Sequence, residues 1–285
     1  MIKKTMPLML ASGALYTDLP AFIMSIINCT PDSFWADSRS IGTDFSVDKA
    51  LEHENEGAHI IDLGAESSRP GSEYVSAQEE IDRLIPVIEG IRKHSSIPIS
   101  VDTRKACVLK AALSAGADIL NDISALEDDD QMGRISAEAD IPVILMHKRG
   151  NPLNMQKNTV YADVLDEVSS YLQQRCRYAF SCGIKPEKLI LDPGIGFGKD
   201  LHANTLLIQH CDAFLNIADP RQQNHVLIAL SRKTCIGELT GRSIEQRLTG
   251  TICANLLAVQ KGATIVRVHD TAETIDMLKV LRGLG

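Results

Sequence analysis

The pattern that most constrains this chain is a series of eight short apolar runs, each closed by a polar or charged residue. FIMSII runs into Asn28, HIIDLG into Glu66, IPISV into Asp102 and ADIL into Asn121. IPVILM leads to His147, KLIL to Asp192, VLIAL to Ser231 and Lys233, and TIV to Arg267 and His269. Apart from the closely spaced third, fourth and fifth, the runs recur roughly every 35 to 45 residues, the length of a strand and its crossover helix. Unbroken Val/Ile/Leu runs mark strands covered on both faces, as in a parallel sheet. Such strands, each followed by a helical pattern, predict a TIM (β/α)8 barrel, in which chemistry gathers at the carboxyl ends of the strands. The residues that close the runs are then the rim of the site.

A chain of 285 residues suits one such barrel, and positions 1–285 read as a single domain with a lead-in of about 20 residues. The hydrophobic share of 44% and charged share of 23% are ordinary for a soluble globular protein. A formal net charge of -8 argues against a general nucleic-acid or anionic-membrane surface. An anionic small substrate would need positive charge concentrated locally. The seven cysteines form no C-x-x-C pair, which disfavours a disulfide framework or zinc site and fits a reducing, cytoplasmic setting. The opening MIKKTMPLMLASGALYTDLP makes a weak signal peptide, interrupted by Tyr16, Asp18 and Pro20. No apolar run approaches the ~18 residues that span a bilayer.

Helical patterns fill the gaps. SAQEEIDRLIPVIEGI opens with Ser76 and Glu79 at capping-box spacing and repeats Ile81, Leu84, Ile85 and Ile88 on one face. Ser243 and Gln246 predict a second capping box before RLTGTICANLLAVQ, while YADVLDEVSSYLQQRCRYAF and ANTLLIQHCDAFL each read as one amphipathic helix. The first two strand-to-helix connections, about Asn28 to Ser46 and Gly64 to Ser76, are long. Long loops on a rigid scaffold are often binding lids.

The loops and strand ends carry the chemistry. NCTPDSFWADSR sets Asn28 at a strand end, where its amide oxygen could meet a metal or a substrate donor. Asp32 and Ser33 suit an ordinary turn after Pro31, but the adjacent Phe34 and Trp35 on an exposed loop want something to cover. GAESSRPGSEYVS brings together Ser68, Arg69 and Pro70: a hydroxyl, a donor fork for carboxylate or phosphate, and a rigid bend. Asp102, Asn121, Asp192 and Lys233, from four strand ends, could read a planar heterocycle. Carboxylates accept from an amino-plus-ring-NH edge, and an ammonium or amide donates to a carbonyl or ring nitrogen. A buried structural pair of Asp192 with Lys233 is the competing reading, since buried charges must be partnered.

DPGIGFGKD fails the Walker and G-x-G-x-x-G patterns. Its glycines would let the backbone approach a ligand, with Phe197 as an apolar wall. In RVHD, Arg267 and His269 share one side of the last strand and suit an anion, in keeping with the common barrel phosphate site after strands seven and eight.

Taken together, TPDSF, ESSRPG, SVDT, NDIS, LMHKRG, LDPGIGFGK, SRK and RVHD, in this order from about Phe22 to Leu281, make the chain resemble the dihydropteroate synthase family. The resemblance implies a folate-pathway transferase that joins p-aminobenzoate to hydroxymethyl-dihydropterin pyrophosphate with Mg2+, releasing pyrophosphate by an SN1-like substitution. By the same resemblance, Asp102, Asn121, Met146, Asp192 and Lys233 match the pterin-binding positions. Asn28, Arg267 and His269 match the pyrophosphate site, with Asn28 near the metal. Phe34, Ser68, Arg69, Pro70, Phe197 and Ser231 fall where p-aminobenzoate, and the sulfonamides that mimic it, are held. Asp32, Arg69 and Lys233 are the implied catalytic residues, and a homodimer is the implied assembly. A non-catalytic pterin-binding paralogue and a methyltetrahydrofolate methyltransferase are the alternatives. Ala65 and Ala125 stand where the family commonly has Gly, and Ser68 where it has Thr; Ser25, Cys29, Trp35 and Ala36 also differ. Ala65 would matter most if its backbone needs a positive φ.

Overall fold

The structure, a computed structural model, describes residues 5–29, 39–67, 72, 74–150 and 159–285. It opens with an antiparallel hairpin, β1 (Leu8–Leu10) and β2 (Gly13–Leu15). Eight parallel strands follow: β3 (Phe22–Asn28), β4 (Ile60–Gly64), β5 (Ile99–Asp102), β6 (Ile119–Asp122), β7 (Val143–Met146), β8 (Leu189–Asp192), β9 (His225–Ala229) and β10 (Ile265–Val268). They pair in sequence order and close through β10 against both β9 and β3, which is the expected barrel. Around it lie α1 (Arg39–Glu56), α2 (Ala77–Arg92), α3 (Ala106–Ala115), α4 (Met132–Glu138), α5 (Val164–Ser181), α6 (Leu201–Gln209), α7 (Thr234–Thr240), α8 (Leu248–Gln260) and α9 (Thr271–Leu284).

Strand periodicity places the site. Phe22, Met24, Ile60, Ile119, Ile144, Ile190, Leu227, Ala229 and Ile265 pack together as the barrel interior. The alternate residues, such as Ile61, Leu63, Ile99 and Val101, pack outward beneath α2. Side chains two apart share a face, so the inward series continues from Ile119 to Asn121, Ile144 to Met146, Ile190 to Asp192 and Ile265 to Arg267. Apolar residues fill the lower layers, and Asn121, Asp192 and Arg267 succeed them at the carboxyl end beside Met146. The register places Asn28 beside Gly64, Gly64 beside Asp102, Asp102 beside Asn121, and Met146 beside Asp192.

The opposite end is closed by the hairpin. Leu8 and Leu10 are buried within the interior cluster, and Lys188 Nζ donates to Leu10 O at 3.1 Å. The lead-in is therefore a plug, which its own short apolar stretch provides. Burying a leucine contributes about 1.5–3 kcal/mol.

Several helix expectations hold and others are corrected. Ser76 caps α2, its Oγ accepting from Glu79 N at 3.3 Å, and Asp163 caps α5 through Leu165 N and Asp166 N. The Ser243–Gln246 capping box does not form: Ser243 Oγ donates to Glu245 instead, and α8 starts later, after a 3-10 turn at Ile244–Gln246. ANTLLIQHCDAFL is broken at His210, where φ -129 and ψ 42 leave the helical region, and continues as a 3-10 turn over Cys211–Phe214. The first loop is shorter than expected, because α1 begins at Arg39. The second spans the expected distance to α2.

Candidate active site at the carboxyl end of the barrel

A guanidinium organises one side of the mouth. Arg267 projects inward from β10, and its Nε donates to Asp62 Oδ2 at 2.6 Å. Its NH2 lies 3.3 Å from Asp102 Oδ2. Asn121 Nδ2 donates to both oxygens of Asp62, at 3.3 and 3.2 Å. One cation thus joins carboxylates from β4 and β5, and a carboxamide from β6 completes the set. Asp62 is fully buried. Sequence reasoning passed over it, although a charged residue inside the apolar run HIIDLG was the available signal. Burial pushes the Asp102 carboxyl up to about 7, against the pull of Arg267 and with the added push of Asp62.

The facing side is built from β8, its following turn and the start of α7. Asp192 Oδ1 accepts from Gly194 N at 2.7 Å. Burial raises its proton affinity, opposed chiefly by Lys233. Lys233 Nζ donates to Ile195 O and stands 4.8 Å from the centre of the Phe197 ring. Burial lowers its pKa to about 8, with Asp192 pulling the other way. Asp192 and Lys233 therefore interact electrostatically, as the competing reading allowed, while Lys233 makes its direct hydrogen bond to a backbone carbonyl.

Two of the glycines after β8 serve the packing of loops. Gly194, at φ +70, sits so near the β7 exit that a Cβ would lie 1.9 Å from His147 O. At Gly198, with φ +67, a Cβ would lie 2.6 Å from Arg149 O. These residues let one loop lie on another. Only Gly196 faces Lys233, 3.6 Å from its Cδ.

At the remaining strand ends, Ser231 Oγ is 2.9 Å from His269 Nδ1 and accepts from His269 N at 3.2 Å. Ser231, assigned to p-aminobenzoate, and His269, assigned to pyrophosphate, are thus direct neighbours, whereas Arg267 reaches the two carboxylates. Asn28 is exposed at the end of β3, and Met146 is buried at the end of β7. Asp32, Phe34, Ser68, Arg69 and Pro70 lie outside the described residues. At the start of the second loop, Glu66 pairs with Arg104 at 2.8 Å and with Lys105 at 2.6 Å, and Lys105 also bonds Glu80.

The departures from the family pattern sort differently than expected. Ala65 has no positive φ, whereas Ala125 does, at 50°, followed by Leu126 at 65°. The strain of replacing Gly therefore falls at Ala125, in the turn after Asn121, and is of order 1 kcal/mol. Asp122 holds that turn, accepting from Ser124 N at 2.7 Å and Leu126 N at 2.8 Å.

Residues 24–269 match the family model described as pterin binding enzyme. A dihydropteroate synthase from Haemophilus influenzae is 45% identical over 262 residues, covering 90% of this chain and 92% of that protein. A solved Xanthomonas albilineans dihydropteroate synthase with 4-aminobenzoic acid superposes with a TM-score of 0.89 at 39% identity, over 99% of this chain and 98% of that one. A second structure from that organism, in complex with 7,8-dihydropteroate, gives 0.84 at 38% identity over 98% of each chain. With its closed barrel and this carboxyl-end constellation, the chain belongs to the dihydropteroate synthase family of pterin-binding enzymes.

Proposed function

We propose that this chain condenses hydroxymethyl-dihydropterin pyrophosphate with p-aminobenzoate, giving dihydropteroate and pyrophosphate. The observation that carries the reading is the meeting of Asp102, Asn121, Asp192 and Lys233 in one barrel mouth, on a chain of this family. Two carboxylates suit the amino and ring N–H edge of a pterin, and the carboxamide and ammonium suit its carbonyl and ring nitrogens. Met146 would supply a soft apolar contact.

The departing pyrophosphate would lie toward Arg267 and His269, whose positive and donor groups stabilise its charge. The C–O bond breaks with its electron pair leaving on oxygen, and the pterin delocalises the resulting cation. The amine lone pair then forms the C–N bond, and one amine proton passes to solvent. That second step is chiefly positioning, assigned to Phe197 and Ser231 together with Phe34, Ser68, Arg69 and Pro70. Asp32 and Arg69, on the two long loops, would close over the reacting pair. Sulfonamides would compete at the p-aminobenzoate position.

Among the described residues no cluster of three or more His, Cys, Asp or Glu side chains could hold a metal. The donor set nevertheless fits Mg2+, which keeps several waters and takes one or two protein oxygens plus substrate phosphates. Asn28 offers one such oxygen at the exposed end of β3. Mg2+ held there would neutralise charge on the pyrophosphate. Cysteine usage supports a cytoplasmic setting, and among the described residues no helix is long and apolar enough to cross a membrane. A homodimer is the assembly this family membership favours.

The test is a turnover assay that scores dihydropteroate and pyrophosphate together. Both should require both substrates and Mg2+, appear in equal amounts and vanish in Lys233→Ala. Pterin binding without product would support the non-catalytic paralogue instead.

A further inference from the structure

Lys199 is a deeply buried lysine beside the mouth, and its amine meets backbone carbonyls and an imidazole. It is 3% exposed. Its Nζ lies 2.8 Å from His147 Nδ1, 2.9 Å from Gly194 O, 3.1 Å from Phe197 O and 3.4 Å from His147 O. Every one of these acceptors is neutral, and the surrounding charges are mixed. Burial pushes its pKa well below the ordinary lysine range, Asp192 pulls the other way, and Lys233 and Arg149 add to the push. Burying a cation against neutral acceptors is a poor way to gain stability, because desolvation outweighs what such contacts return. The position calls for another explanation.

The acceptors supply one. They belong to two segments: His147 at the exit of β7, and the Gly194–Phe197 turn after β8. Gly194, Gly196 and the following Gly198 have positive φ, at 70°, 85° and 67°, so the sequence gives this turn little intrinsic stiffness. Its carbonyls divide between two lysines. Gly194 O and Phe197 O face Lys199, and Ile195 O faces Lys233. The Phe197 ring also lies against Lys233, and Gly194 N holds Asp192.

We propose that Lys199 is a positioning residue for the reaction, tying the β7 exit to the glycine turn so that Ile195 O and Phe197 fix the Lys233 ammonium opposite Asp192. This rests on the pterin reading of the Asp192–Lys233 pair. Lys199 acts through geometry. The groups facing Asp192 are Lys233, Lys199, Arg267 and the Gly194 N–H.

The test is Lys199→Met, which keeps the length and removes the ammonium. Steady-state kinetics should show kcat/KM for the pterin substrate reduced about 10- to 100-fold, the range for a misplacement near 1 Å. Binding of 6-hydroxymethylpterin, followed by fluorescence without turnover, should weaken about 10-fold alongside. A lysine that only supported the fold would lower Tm and the folded fraction, yet leave the pterin Kd per folded molecule as in wild type; that outcome overturns the proposal. If Lys199→Met does not fold, His147→Leu removes the nearest acceptor alone. It should move the same quantities in the same directions by a few-fold, and wild-type values would again overturn the proposal. A wild-type protein that binds the pterin but makes no product refutes the proposed function, while the Kd comparison still tests Lys199.

Discussion

Replacing Asp62 with alanine should reveal how much of the site depends on a residue that touches no proposed substrate atom. The carboxylate is buried and accepts from Arg267 at 2.6 Å and from Asn121 at 3.3 and 3.2 Å. Without it, Arg267 retains Asp102 at 3.3 Å, and the Asn121 amide loses the two acceptors it has here. Removing one partner of a buried ion pair costs about 3–5 kcal/mol. Because Arg267 keeps a second carboxylate, the lower figure applies. At roughly 2–4 °C per kcal/mol for chains of this size, Tm should fall by at least about 6 °C. Arg267 would also swing toward Asp102 and away from its set direction, lowering kcat/KM by about 100-fold. Asp62→Asn keeps an acceptor oxygen and should fall between the variant and the wild type. Differential scanning calorimetry and steady-state kinetics measure both effects. An Asp62→Ala protein with Tm within 2 °C of wild type and unchanged kcat/KM would refute the reasoning.

Two pH dependences follow from the buried groups. Asp102 must be ionised to accept from a pterin edge and titrates near 7; Lys233 must be protonated to donate and titrates near 8. The pterin kcat/KM should therefore rise through about 7 and fall through about 8, and a plateau running on to pH 10 would remove Lys233 from the role. At the plugged end, His59 and His225 flank Phe22 edge-on at 5.4 and 5.8 Å, and burial lowers both to about 4 from 6.5. Below pH 6.5 the unfolded chain takes up protons that the folded chain refuses, so stability should drop as pH falls from 6.5 toward 4. The two histidines contribute at most roughly 3 kcal/mol each. Urea titrations at pH 7 and 4.5 would show this, and His225→Gln should weaken the loss. An equal loss in the variant would place the acid sensitivity elsewhere.

The barrel was legible because strand burial leaves a mark in every run: FIMSII, IPISV and VLIAL have no polar face to hide. The rim was legible for the same reason, since the residue that ends an inward-facing series must face the mouth. Asp62 escaped notice because it lies within a run rather than at its end, and only the register shows that Arg267 meets it. Lys199 lies in DPGIGFGKD, which fails the phosphate-loop patterns, and the sequence gives it no role of its own. Its actual surroundings depend on two loops 52 residues apart meeting backbone to backbone, which no local spacing records. The Ser243 capping box failed because its spacing matched while the helix began elsewhere; a hydroxyl next to a nearby glutamate found a closer partner in Glu245. Of the two replacements of glycine, the sequence pointed to Ala65, and the strain lies at Ala125. Only backbone geometry separates the strained position from the relaxed one.

The most direct test of the whole account is the equilibrium binding of 6-hydroxymethylpterin to the wild-type protein and to Asp192→Asn. The carboxamide keeps the size of the side chain and its acceptor for Gly194 N, but replaces an acceptor of the pterin edge with a donor. The account predicts that pterin affinity falls at least 100-fold, about 3 kcal/mol for leaving a buried charge-assisted pair unmade, while the thermal transition survives. Wild-type affinity in a folded Asp192→Asn protein would contradict it, leaving Asp192 as no more than the structural partner of Lys233.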